Sequence, residues 1–152
     1  MTNEEEKAKP NASGNVGLHG KIHLQVFDKN GKLKYEQKKD NLIVTVGKTE
    51  VAQCIGSGLT GVAFNCIAVG TSATGPAAGN TQLGAESTAG TGLARAAATV
   101  SQQTTTTSGD TARFTHTWTV SGAGAVLAEV GVLNNTTSGG DTVAMTYDII
   151  VG

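Results

Sequence analysis

Residues 21–37 read KIHLQVFDKNGKLKYEQ, and the fold class follows from their alternation. Ile22, Leu24 and Val26 stand between Lys21, His23 and Gln25, the period-2 pattern of a strand with one apolar and one polar face. Asn30-Gly31 follows, a dipeptide suited to the positive φ of a type I′ turn. Leu33 and Tyr35 then alternate with Lys32, Lys34 and Glu36 on the return. The segment predicts a β-hairpin within residues 16–40 whose solvent face is basic.

Downstream of the hairpin, Asn41 to Val46 (NLIVTV) is a short apolar run leading through Gly47 into a single helix, Lys48 to Ile55. Val51 and Ile55 share one helical face, and Gly56-Ser57-Gly58 supplies a glycine stop. Phe64 to Val69 (FNCIAV) is apolar throughout and reads as a buried strand. Residues 70–94 lack periodicity and are expected to run over the surface, anchored by Leu83 and Leu93. A connection of this length inside a compact domain is uncommon and is usually functional or mobile. Arg95–Thr107 and Ala112–Val120 read as paired strands around Ser108-Gly109-Asp110, with Phe114, His116, Trp118 and Val120 on one face. Ala125–Leu133 is a further strand, Asn134–Gly140 a turn, and Val143, Met145, Tyr147, Ile149 and Val151 alternate along the last strand. Seven or eight strands with one short helix predict an all-β fold, an antiparallel β-sandwich.

Composition agrees. The 152 residues suit one domain, here 16–152, preceded by a polar arm at 1–15. Gly, Ala and Thr are abundant, which favours short strands and turns over helices. No run of 18 apolar residues is present, so no transmembrane helix is expected. Met1–Pro10 has no apolar core, so no secretory signal is expected. Eleven basic side chains against twelve acidic ones argue against a dedicated nucleic-acid binder. All nine lysines lie within residues 1–48, so the charged surface belongs to the arm and the hairpin, while the body is nearly neutral. Low net charge promotes association.

Chemistry is sparse. No GxSxG, HExxH or phosphate-cradling loop occurs, and a nucleophile needs a base beside it. Of the three histidines, His116 reads as a core or interface residue. His19 and His23 with Cys54 and Cys66 would make up a Cys₂His₂ set, but the spacing of the cysteines fits no compact zinc pattern. The reading is therefore no catalytic residue, no cofactor and no metal, with both thiols expected to be buried and free, a Cys54–Cys66 disulfide being the alternative. Glu129 is the informative carboxylate, because it lies in the apolar run AVLAEVGVL and a desolvated carboxylate is costly without a partner. It is expected either to form an ion pair with Arg95 or Arg113 or to accept backbone N–H groups of the 70–94 loop, fixing that loop on the body.

The hairpin, NLIVTVGK (41–48), IAVGTSATGPAAGNTQLGAES (67–87) and AEVGVLN (128–134), in that order, resemble a family of small virion structural proteins of tailed phages and related viruses. These are head-decoration or tail-fibre-like proteins. The matching features are a strand ending in Val-Gly-Thr, a loop closing on Thr81, Leu83 and Glu86, and the Glu129-Val130-Gly131 strand. No arginine follows Glu86 closely; Arg95 is the nearest. The resemblance implies no catalysis. It implies a homo-oligomeric virion protein, made in a host cytoplasm, that binds copies of itself and a viral shell or tail protein. Decoration or cementing of a capsid surface is the first expectation, a tail or baseplate fibre component the alternative, and a subunit of a cell-surface filament a further one. The expected assembly residues are Glu4, Glu5, Glu6, Lys7 and Lys9 of the arm and Lys21, Lys32, Lys34, Lys38 and Lys39 of the hairpin, together with the loop 70–94.

Overall fold

In a computed structural model of the chain, the described residues are 17–56, 58–59, 61–120, 126–135 and, for the backbone alone, 143–144 and 148–151. The arm at 1–15, most of the 134–140 turn, and Met145 and Tyr147 of the expected last strand lie outside them.

Strands β1 (Leu18–Phe27) and β2 (Leu33–Asn41) form the hairpin. Its turn is not the type I′ expected from Asn30-Gly31. No described non-glycine residue has positive φ, and within this turn only Gly31, at 79°, enters the left-handed region. Asp28 takes over the turn instead. Its Oδ1 accepts the backbone N–H groups of Asn30 (2.8 Å) and Lys32 (2.9 Å), and its carbonyl accepts that of Gly31 (3.0 Å). An aspartate satisfying its own turn in this way favours a longer loop, and the ladder register slips between Val26 and Phe27.

Helix α1 (Thr45–Ile55) begins three residues before the expected start. The cause is tertiary: Thr45 N–H donates to Ala78 O at 2.8 Å, so the distant loop satisfies a helix-end donor that no side chain caps. Gly56 ends the helix in extended rather than left-handed conformation. The chain then returns past Gly61, where a Cβ would lie 2.8 Å from Cys54 N, and Glu50 accepts Val62 N–H at 3.1 Å.

Strand β3 (Cys66–Gly70) is buried at every position. A 3₁₀ turn (Ala89–Thr91) precedes β4 (Ala96–Ala97) and β5 (Thr99–Gln103), followed by β6 (Thr111–Thr115), β7 (Glu129–Leu133), β8 (Val143–Ala144) and β9 (Asp148–Val151). The fold is all-β, with one α-helix among the described residues. The described strands make a five-stranded sheet ordered β2-β1-β9-β6-β5 and a four-stranded sheet ordered β4-β3-β7-β8, antiparallel at every pairing.

The expected single strand 95–107 is two strands in two sheets. At Ala98 the chain leaves β3, where Ala98 N–H donates to Asn65 O (2.8 Å), and joins β6. This crossing also shortens the partner strand. Thr115 pairs with Thr99, and beyond it the ladder neighbour has moved to the other sheet, so His116–Val120 are not in a strand. His116, expected in the core or at an interface, is exposed. Its Nδ1 meets Ala97 O at 2.9 Å and its ring stands edge-on to Trp118, whose Nε1 donates to Ala94 O at 2.8 Å.

Two apolar clusters explain why β3 reads as apolar throughout. On one face Ile67 and Val132 pack with Phe64 and with Phe114 of the five-stranded sheet. On the other face Cys66, Ala68 and Leu133 pack with Leu83 from the long loop. A strand buried on both faces shows no alternation. Each large side chain so buried contributes about 1.5–3 kcal/mol.

Candidate assembly surface

The long loop is a cover for the second face of β3, held by a polar lock. Glu129 opens β7 opposite Gly70 of β3, on the face of Cys66, Ala68 and Leu133. Its Oε1 accepts the backbone N–H groups of Ala85 (2.6 Å) and Ser72 (3.3 Å), and its Oε2 accepts that of Gly84 (2.8 Å). Charge-assisted bonds of this kind are short and strong. Thr71 N–H donates to Ala85 O (2.9 Å), Ser87 N–H to Val69 O (2.9 Å) and Ala128 N–H to Gly70 O (2.9 Å), so the loop's returning limb adds a short edge to the sheet. Leu83 and Leu93 are buried beneath it.

Of the two expectations for Glu129, bonding to N–H groups of the 70–94 loop holds, and the ion pair does not: neither Arg95 nor Arg113 is its partner among the described residues. Arg95 instead grips Glu86: Nε to Oε1 at 2.9 Å and Nη2 to Oε2 at 2.5 Å, a two-point clasp with the arginine side chain 5% exposed. Its Nη1 also donates to Asn135 O at 3.0 Å, the carbonyl that accepts the Cys66 thiol at 2.8 Å. Arg113 lies on β6, in register with Ser101 and Asp148. The correction has a simple cause. The loop brings Glu86 to an isolated bridge with Gly70, at the edge where Arg95 leaves the loop, whereas Glu129 is already saturated by backbone donors.

Cys66 is buried, but Cys54 is exposed on α1, against the expectation of two buried thiols. Among the described residues no group of three or more His, Cys, Asp and Glu side chains gathers as a metal site. No described helix is long and apolar enough to cross a membrane.

Among the elements whose burial is described, the hairpin is the most exposed. From Gln25 to Asp40 every residue except Asp28 is exposed, including Val26 (39%), Phe27 (52%), Leu33 (43%) and Tyr35 (50%). The ladder places Val26 opposite Tyr35 and Leu24 opposite Gln37 on one face, and His23 opposite Lys38 and Lys21 opposite Asp40 on the other. Lys39, opposite Ile22, falls on the apolar face, so the basic residues are divided between both faces rather than gathered on one. On the polar face His23 Nε2 meets Glu36 Oε1 at 2.6 Å and Gln25 donates to it at 3.2 Å. The hydrogen bond from His23, aided by the charge of Lys38, holds the Glu36 carboxyl below the ordinary glutamate range. Glu4, Glu5, Glu6, Lys7 and Lys9 of the arm lie outside the described residues.

A second polar device was not apparent from the sequence. Asp110 accepts the N–H groups of Thr105 (2.8 Å), Thr106 (2.7 Å) and Thr107 (2.7 Å) and the hydroxyl of Thr111 (2.8 Å). These bonds, that from Thr107 foremost, hold its carboxyl far below the usual aspartate range. The available signal was the Thr-rich run ending in Ser-Gly-Asp, read above as the end of a strand rather than as donors around one carboxylate.

Comparison of the chain with known protein families, with curated proteins and with solved structures returned no match. Three segments that carry the resemblance noted above are nevertheless one physical unit. The Val-Gly-Thr strand end, the loop closing on Leu83 and Glu86, and Glu129-Val130-Gly131 meet around Gly70.

Proposed function

We propose that this chain is a non-enzymatic structural subunit of a virion that decorates or cements a capsid surface through contacts repeated by symmetry. The observation that carries the reading is the hairpin β1–β2. A two-stranded ribbon is marginal in water by itself, and this one extends two aromatic and two aliphatic side chains into solvent at its far end. Exposed apolar groups on a ribbon are a hazard that natural proteins cover, and a neighbour in an assembly is one such cover. The pinned loop fits the same role, because a long loop held by five carboxylate and guanidinium contacts presents a fixed surface without further ordering cost on binding. Shallow contacts of this type gain strength by repetition.

Imaging of particles that carry the protein tests the reading. Copies arrayed over the outer shell with the symmetry of the capsid are the expected result. Threefold or sixfold placement on a tail moves the role to a fibre, and a one-dimensional helical array moves it to a filament. A chain that is absent from purified particles and remains a monomer overturns the proposal.

A further inference from the structure

We infer that the hairpin β1–β2 is the docking site for the Glu4-Glu5-Glu6 arm of a second copy of this chain, an inference that rests on the assembly role proposed above. Residues 18–41 carry six lysines against three carboxylates. All six lysines are exposed. Among the described residues only Lys38 has a carboxylate within 4.0 Å, Glu36 at that limit, while Lys21, Lys29, Lys32, Lys34 and Lys39 have none. The hairpin therefore holds positive charge that the described chain does not neutralise.

The described body has little with which to answer it. Glu50 is bonded to Val62 N–H, Glu86 to Arg95, Glu129 to the loop, Asp110 to its threonines, and Asp28 to its own turn. Asp40 stands opposite Lys21 at the hairpin base and is the exception. Glu4-Glu5-Glu6 is the one run of three like charges in the sequence, and it is acidic. Ten residues lie between Glu6 and Gly17, so the two can stand about 35–40 Å apart when the chain is extended, enough to cross to an adjacent subunit. Five of the six lysines lie in the turn and along β2, with Lys21 on β1 at the base, so an acidic segment lying along β2 meets several of them at once. Exposed charges interact weakly in pairs and are screened within about 10 Å at 0.1 M salt, so the contact suits a lattice in which each copy gives one arm and receives one.

Reversal of charge in the full-length chain tests this by sedimentation velocity. One variant carries Glu4→Lys, Glu5→Lys and Glu6→Lys; another carries Lys32→Glu, Lys34→Glu and Lys39→Glu, with circular dichroism confirming that each folds. Each variant alone is expected to self-associate roughly tenfold or more weakly than the original chain, and high salt to weaken the original likewise. An equimolar mixture of the two is expected to recover association, because the reversed arm now matches the reversed hairpin. Undiminished association of both variants overturns the inference and leaves the assembly reading standing, as does failure of the mixture to recover. So does a hairpin variant that loses only its attachment to particles, which assigns the lysines to the shell. An original chain that neither self-associates nor attaches to particles overturns both.

Discussion

Gly70 and Glu129 face each other across the β3–β7 ladder, and the missing side chain of the first is what lets the carboxylate of the second reach the loop. A Cβ at Gly70 would lie 2.5 Å from Ala85 O and 2.8 Å from Glu129 Cγ. The pair therefore sets the height at which the loop crosses the sheet.

Replacing Gly70 by Ala is expected to force the loop off the sheet, with a loss of about 1–3 kcal/mol, the cost of overpacking a tight site. Urea unfolding measures it, and hydrogen exchange at Ala85 and Ser87 locates it. Unchanged protection at those two amides would show that the close approach is not a constraint.

Glu129→Gln keeps the shape but puts an amide NH₂ where an oxygen accepts backbone N–H groups. A stability loss of about 1–3 kcal/mol is expected, the cost of leaving a partly buried donor unmatched, with proteolytic nicking concentrated in residues 71–95. Nicking spread evenly over the chain would count against the lock.

The Glu86–Arg95 clasp gives a larger expectation. Its arginine is almost wholly buried, so Glu86→Gln or Arg95→Ala alone leaves an uncompensated charged or polar partner, and a loss of about 3–5 kcal/mol follows for removing one member of a buried pair. The double variant Glu86→Gln/Arg95→Ala is expected to be less damaging than the two single losses summed, which a double-mutant cycle reads directly. Strict additivity would mean the two side chains act apart.

The hairpin, the apolar strand β3 and the helix were legible because their signals are local: alternation, an unbroken apolar run, a glycine stop. Ala98 was not, since nothing in Ala96–Gln103 marks a strand that changes sheets; the crossing is decided by Asn65 O and by the β6 ladder, both far away in sequence. Glu129 stood out as a carboxylate among aliphatic residues, and loop N–H groups were one of its two expected partners; which residues donate was not legible, because every residue except proline carries an N–H. The pairing of Glu86 with Arg95 spans nine residues of aperiodic loop, where no helical or strand spacing brings side chains together.

Ser87 supplies a prediction of opposite sign. Its hydroxyl is buried with no hydrogen-bond partner among the described residues, although its backbone N–H is bonded to Val69 O. Ser87→Ala removes an unsatisfied polar group and is expected to be neutral or stabilising by up to about 1–2 kcal/mol. A clear loss of stability on thermal unfolding would show that the hydroxyl has a partner in solution.

Asp110 makes the loop Thr104–Asp110 sensitive to acid, and the sign is fixed by which state binds the proton first. Its carboxyl titrates lower in the folded chain than the ordinary value of 3.8, so on acidification the unfolded chain is protonated first. The contribution is therefore complete above about pH 5 and is lost progressively as pH falls through the ordinary aspartate range toward the lower folded value. Asp110→Asn cannot make that exchange. It is expected to be less stable at neutral pH and to show a shallower fall in urea midpoint between pH 5 and about 2, the original chain and the variant converging at the acid end. Parallel curves over that range would mean that the three threonine N–H groups hold the aspartate no better than water does.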